Sequence, residues 1–215
     1  MKGTRPPEHN ASHASGTEAI SHRSDPIECV VVGGSAGAIE ALLKILPALP
    51  REFPLPILVV VHLPPDGRSL LPEIFGQRCR VTVKEAEDKE TIQSGVVYFA
   101  APNYHLLVEA DHTLSISSDE PILYSRPSID VLFESAADAF GTGLLALVLT
   151  GANSDGAAGA KAVCAAGGMV WVQKPEEAEA SLMPRSALEA CPQARALNLA
   201  EIAQEIERIA TNRPK

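Results

Sequence analysis

The sequence predicts an α/β fold: a doubly wound, mostly parallel sheet with helices on both faces and an inserted β-hairpin. Three observations predict it. Short β-branched and apolar runs recur along the chain with little polar interruption, as in strands buried on both faces. Segments with apolar residues at helical spacing alternate with those runs. One pair of strand-like runs is separated only by Ala110-Asp111-His112-Thr113, which is hairpin spacing.

The first strand contains Ile27, Val30, Val31 and Val32 and runs into the small-residue turn Gly33-Gly34-Ser35-Ala36-Gly37. Ile39, Leu42, Leu43 and Leu46 then share one helix face, and Pro47 closes that helix. Residues 57–61 form a second buried strand, followed by His62-Leu63-Pro64-Pro65-Asp66-Gly67 and a short helix over 69–77. Residues 80–84 are a weaker third strand. Strands over 95–100 and 105–109 flank Pro102-Asn103-Tyr104, His105 beginning or preceding an exposed strand, and residues 114–117 pair back on 105–109.

Ser125-Arg126-Pro127-Ser128 leads into a helix with Ile129, Leu132, Phe133 and Ala136 on one face, and Ser128 is its expected cap. Residues 144–149 are the most apolar strand and should be central. Thr150-Gly151-Ala152-Asn153-Ser154-Asp155-Gly156 follows, then an alanine-rich helix to Ala166. A strand over 169–172, a helix over 183–190 and a short strand over 196–199 complete the sheet. The last helix carries Ile202, Ile206 and Ile209 in one stripe.

Composition bounds the function. Residues 1–26 mix Pro, Ser, His and Gly without the apolar segment of a signal peptide, and read as a disordered tail. Residues 27–211 of the 215-residue chain then make one domain, ample for a core. The formal charge of −9 argues against a nucleic-acid partner, which needs a basic face. No apolar run approaches the roughly 20 residues of a membrane span, so no membrane insertion is expected. Cys29, Cys79, Cys164 and Cys191 are widely spaced with no C-x-x-C pair, and are expected to be reduced thiols of a cytoplasmic protein.

Doubly wound sheets place ligands outside the carboxyl ends of their strands. Three polar residues fall there directly after apolar strands: Ser35, His62 and Asp155. They are the types a nucleophilic triad needs, a hydroxyl, an imidazole to take its proton, and a carboxylate to fix the tautomer. Gly33-Gly34-Ser35-Ala36-Gly37 fits the G-x-S-x-G turn, whereas no register restores the dinucleotide fingerprint G-x-G-x-x-G. Each residue also has a plainer reading: Ser35 and Asp155 as helix caps, His62 as a satisfied strand-end histidine. The order Ser, His, Asp differs from that of α/β-hydrolases, which run Ser, Asp, His.

The segments Val-Val-Val-Gly-Gly-Ser-Ala-Gly, Val-Val-His-Leu-Pro-Pro, Arg-Pro-Ser-Ile-Asp-Val-Leu-Phe, Leu-Thr-Gly-x-x-x-Asp-Gly-Ala-Ala-Gly and Met-Pro-Arg, in this order, resemble the catalytic domain of the CheB family of chemotaxis protein-glutamate methylesterases. The resemblance implies a serine carboxylesterase that hydrolyses glutamyl methyl esters on the cytoplasmic region of methylated chemoreceptors, releasing methanol, and often deamidates receptor glutamines. It implies no cofactor and no metal. By motif position its serine, histidine and aspartate fall on Ser35, His62 and Asp155. Backbone N–H groups beside Ser35 and His62 are the expected oxyanion site, and Arg126 and Met183 the expected substrate-groove residues, since their motifs fall in loops reaching the same edge; Arg126 reads equally as a surface ion-pair partner. Ala36, Ala152 and Ser125 depart from the residues usual in the family. The family's receiver domain finds no room in a 26-residue tail, so an unoccluded, standalone catalytic domain is expected. The rival readings are a small-ligand-binding module on the same glycine turn, and a catalytically idle scaffold of a signalling complex.

Overall fold

The computed structural model describes residue 1, residues 26–63 and residues 69–211. The tail expected over 1–26 lies, apart from its two end residues, outside the described residues, as does the stretch from Pro64 to Arg68.

Nine strands and six α-helices follow the expected order: β1 (Cys29–Gly34), α1 (Ala38–Ile45), β2 (Ile57–Val61), α2 (Leu71–Gly76), β3 (Thr82–Glu85), β4 (Val96–Phe99), β5 (His105–Val108), β6 (Leu114–Ser117), α3 (Ile129–Phe140), β7 (Leu144–Val148), α4 (Ala157–Ala165), β8 (Met169–Gln173), α5 (Leu182–Ala190), β9 (Arg195–Leu197) and α6 (Leu199–Thr211), counted among the described residues. Seven strands form one parallel sheet in the order β3-β4-β2-β1-β7-β8-β9, and β5 and β6 form a separate antiparallel hairpin.

Alternation along each strand divides the core into two layers. Val30 and Val32 of β1 face α1, α2 and α6, where Leu42, Ile45, Phe75, Ile202 and Ile206 are buried. Cys29 and Val31 face α3, α4 and α5, where Ile129, Leu132, Phe133, Val163 and Ala187 are buried. The hairpin residues Leu106, Val108 and Leu114 join this second layer. The inserted hairpin thus covers α3 without interrupting the parallel sheet.

The chain leaves β1 for β2 on one side and comes back to its other side at β7. Strand order therefore reverses at β1, and the crevice characteristic of doubly wound sheets opens outside the carboxyl ends of β1, β2 and β7. Gly34 pairs with Val61 and Gly33 with Val148, so these three strands end at one level.

Two expectations change. Cys164 in α4 and Cys191 just after α5 are joined as a disulfide, where four reduced thiols were expected. Helices α4 and α5 pack side by side, a proximity that a sequence separation of 27 conceals. Cys29 and Cys79 are free, and burial pushes both thiols up, Cys79 to about 11, so neither is a reactive thiolate. His105, expected on an exposed strand, is buried: its Nδ1 accepts the Ser128 N–H at 3.1 Å and its Nε2 lies 3.2 Å from Glu120 O.

Candidate active site

Backbone bonds carry the sheet one step past its strands. Ser35 N–H donates to Thr150 O at 2.9 Å, and His62 N–H donates to Gly34 O at 3.1 Å. Ser35, His62 and Thr150 are thereby held at one level. The turn after Ser35 demands small residues: a Cβ on Gly34 would come within 2.6 Å of Ala38 Cβ, and Gly37 has a left-handed φ of 77°. Gly37 is the N-cap of α1 and no side chain caps that helix. Ser35 Oγ therefore does not serve as the cap, and among the described residues it makes no hydrogen bond. It is half-exposed at the crevice.

Across the crevice, His62 Nε2 lies 2.8 Å from Asp155 Oδ2. The imidazole is 12% exposed and the carboxylate wholly buried. An ionised carboxylate only accepts, so Nε2 carries the proton and the lone pair sits on Nδ1. Nδ1 faces the mouth of the site, where Ser125 Oγ lies 3.5 Å away. No hydrogen bond joins Ser35 Oγ to His62 in this conformation, and unliganded sites commonly hold such pairs apart.

Asp155 does more than hold the histidine. Its Oδ1 accepts the Ser128 hydroxyl at 2.9 Å and Asp130 N–H at 3.0 Å, and its Oδ2 accepts Ile129 N–H at 2.7 Å. Ser128 makes no side-chain cap of its own helix. The cap of α3 is instead the carboxylate of Asp155, from the loop after β7. Burial works to raise the Asp155 pKa, but the His62 bond and these donors hold it below the usual carboxylate value. The carboxylate is thus fixed in charge and in place.

The expected oxyanion donors are backbone N–H groups beside Ser35 and His62. The N–H groups of Ser35 and His62 are both spent in the extended sheet ladder. Among the described residues no acceptor takes the N–H of Ala36 or Gly37, and both precede the N-terminus of α1. Those two are free to meet a developing negative charge.

Arg126 lines a cavity of about 230 Å³ together with His62, Asn103, Tyr124 and Ser125. Four of its five guanidinium N–H groups are engaged, donating to Asn103 Oδ1 at 2.8 and 3.1 Å, Ser118 O at 2.7 Å and Asp119 O at 2.9 Å. It braces the wall of the groove and has no free fork for a carboxylate. Met183 is buried, and its thioether lies against Gly151, where an added Cβ would come within 2.5 Å of it. It supports the loop after β7 from beneath and is not on the groove surface.

Sequence reading missed Asn153 and Asp130. Asn153 Oδ1 accepts Asp155 N–H at 3.2 Å, and its Nδ2 donates to Ser125 Oγ at 3.3 Å. The Asn-x-Asp spacing of a local side-chain turn was the available signal. Asp130, 7% exposed, accepts Gly159 N–H at 2.7 Å and is pushed up to about 6 by burial, with the Asp155 charge adding. A carboxyl raised above its unfolded value stabilises most at low pH and loses that contribution as pH climbs to and through about 6. Asp130→Asn keeps the acceptor for Gly159 but cannot ionise. Its stability relative to the parent should rise between pH 4 and pH 7, read by urea unfolding; a constant difference across that window would contradict the shift.

A family model described as CheB methylesterase matches residues 30–206. A protein of Leptospira interrogans named putative protein-glutamate methylesterase/protein-glutamine glutaminase is 48% identical over 185 residues, covering 86% of this chain and 96% of that protein. A protein-glutamate methylesterase/protein-glutamine glutaminase of Archaeoglobus fulgidus is 35% identical over 183 residues, covering 84% of this chain and 52% of that protein. The chain thus spans almost the whole of the first relative and about half of the second. The crystal structure of the Thermotoga maritima CheB methylesterase catalytic domain matches with a TM-score of 0.81 and 32% identity, covering 86% of this chain and 100% of that one.

Proposed function

Since the chain belongs to the CheB methylesterase family, we propose that it is a serine esterase that removes methyl groups from glutamyl side chains of chemoreceptor-type proteins and deamidates their glutamines. The observation that carries the reading is the buried Asp155–His62 bond of 2.8 Å at the level where Ser35 leaves the sheet with an uncommitted hydroxyl.

Ser35 Oγ attacks the ester carbonyl carbon and gives its proton to His62 Nδ1. Asp155 holds Nε2–H, which keeps Nδ1 basic and then stabilises the imidazolium. The ring is used in the reverse sense to chymotrypsin, whose base nitrogen is Nε2. The N–H groups of Ala36 and Gly37 meet the oxyanion at the start of α1. On collapse the imidazolium protonates the departing methoxide, and methanol leaves a Ser35 acyl-enzyme. Water, activated by the same nitrogen, releases the free glutamate. With a glutamine side chain ammonia departs in place of methanol. No step calls for a cofactor.

The substrate is the cytoplasmic region of methylated chemoreceptors, which puts the protein in the cytoplasm; among the described residues no helix is long and apolar enough to cross a membrane. The test is incubation with a receptor cytoplasmic fragment whose glutamates have been methylated. Methanol should appear in step with new glutamate carboxylates by mass spectrometry. Loss of methyl groups without methanol, or no loss at all, would overturn the reading.

A further inference from the structure

Two bulky residues beside the site hold a backbone conformation that side chains disfavour. Ile122 and Ser125 form an antiparallel bridge, with Ser125 N–H donating to Ile122 O at 2.8 Å and Ile122 N–H to Ser125 O at 3.1 Å. The two residues between them, Leu123 and Tyr124, have φ of 48° and 62°. This is the pair of positive φ angles that a type I′ hairpin turn requires, a turn that favours Asn-Gly because a Cβ is penalised there. Leucine and tyrosine are outliers in that conformation, and such outliers persist where function retains them.

The core gains nothing from them. Tyr124 is fully exposed at 103%, Leu123 is 48% and Ile122 is 40% exposed. The turn is nevertheless held firmly: Arg126, immediately after it, is bonded to Ser118 O, Asp119 O and Asn103 Oδ1. It is also held in a particular place, since Tyr124 lines the cavity that contains His62 and Ser125 Oγ lies 3.5 Å from His62 Nδ1. An apolar tip is thus braced at the rim of the crevice.

We propose that the Leu123–Tyr124 turn docks the polypeptide that carries the ester, by seating apolar side chains of that polypeptide beside the esterified glutamate. The proposal rests on the esterase reading. On a helix, residues three and four positions from the ester share its face, so apolar residues there come to the rim when the ester carbonyl enters the crevice. A chain of net charge −9 gains no general attraction for an acidic receptor segment. An apolar contact supplies recognition that does not depend on charge.

The test uses two synthetic helical peptides, each with one glutamyl γ-methyl ester. One carries leucines three and four residues from the ester, the other serines at the same positions. The protein should prefer the leucine peptide in kcat/KM, mainly through KM. The double variant Leu123→Asn, Tyr124→Gly installs the residues the turn favours, so its thermal midpoint should rise. Its preference for the leucine peptide should drop by about tenfold, the loss of one well-packed aromatic contact. Binding of both peptides to the Ser35→Ala protein, read by calorimetry, reports docking even if no ester is cleaved. Cleavage failing while that binding preference persists would sink the esterase reading and keep the docking surface. An unchanged preference in the double variant would overturn the docking surface and keep the esterase. Self-association or vesicle binding lost in the variant, with peptide preference intact, would assign the turn to another occupant and overturn it equally.

Discussion

Ser35→Ala is expected to cut methanol release by roughly six orders of magnitude, the scale on which another serine hydrolase fails without its nucleophile, and to leave the thermal midpoint where it was. Both halves follow from the same fact. Ser35 Oγ makes no hydrogen bond among the described residues, so removing it orphans no donor or acceptor. Its neighbours in the turn are Gly34, Ala36 and Gly37, and alanine suits that company. The Ser35 N–H bond to Thr150 O is a backbone bond and survives the change. Methanol release above a hundredth of the parent rate would show that another group attacks.

Asp155→Asn should lower turnover on the order of 10⁴-fold, as the analogous change does in a serine protease, and should also cost stability. All four bonds of its carboxylate are acceptances, from His62 Nε2, Ile129 N–H, Ser128 Oγ and Asp130 N–H. An amide keeps only one oxygen. Its nitrogen must face either Ile129 N–H and His62, or Asp130 N–H and the Ser128 hydroxyl. A buried donor facing a donor costs about 1–3 kcal/mol, so the unfolding midpoint drops. Turned toward His62, the amide nitrogen would stabilise the wrong tautomer and remove the base. If Asp155 only capped α3, stability would fall and turnover would stay within threefold. The two measurements together separate cap from orienter.

The sequence made the strands and the strand-end trio legible for a physical reason. Buried parallel strands must be apolar on both faces, so Val30–Val32, residues 57–61 and residues 144–149 announce themselves, and the polar residue that ends each is conspicuous. What stayed hidden depends on distance in the chain. Asp155 caps α3 from 25 to 27 positions away, so Ser128 was credited with a cap that another loop supplies. The oxyanion donors could be narrowed only to N–H groups beside Ser35 and His62, because nothing local shows that neighbouring strands consume those of Ser35 and His62 themselves. Met183 lies in the first turn of α5, just after a loop, and only the tertiary packing against Gly151 shows it buried. The turn at Leu123 and Tyr124 carries neither Gly nor Asn, so the usual turn signal is absent where the backbone is most unusual.

Two serines are candidates at this crevice: Ser35, where the chain leaves β1, and Ser125, whose Oγ lies 3.5 Å from His62 Nδ1. Ser35 alone is the proposed nucleophile. Labelling with a fluorophosphonate probe, followed by peptide mapping, tests this most directly, because the probe forms a stable adduct only with a serine that a base activates. One adduct per chain, on Ser35, abolished by Ser35→Ala and strongly slowed by Asp155→Asn, is the predicted result. An adduct on Ser125, or a chain that the probe leaves unlabelled while methanol is still released, would contradict it.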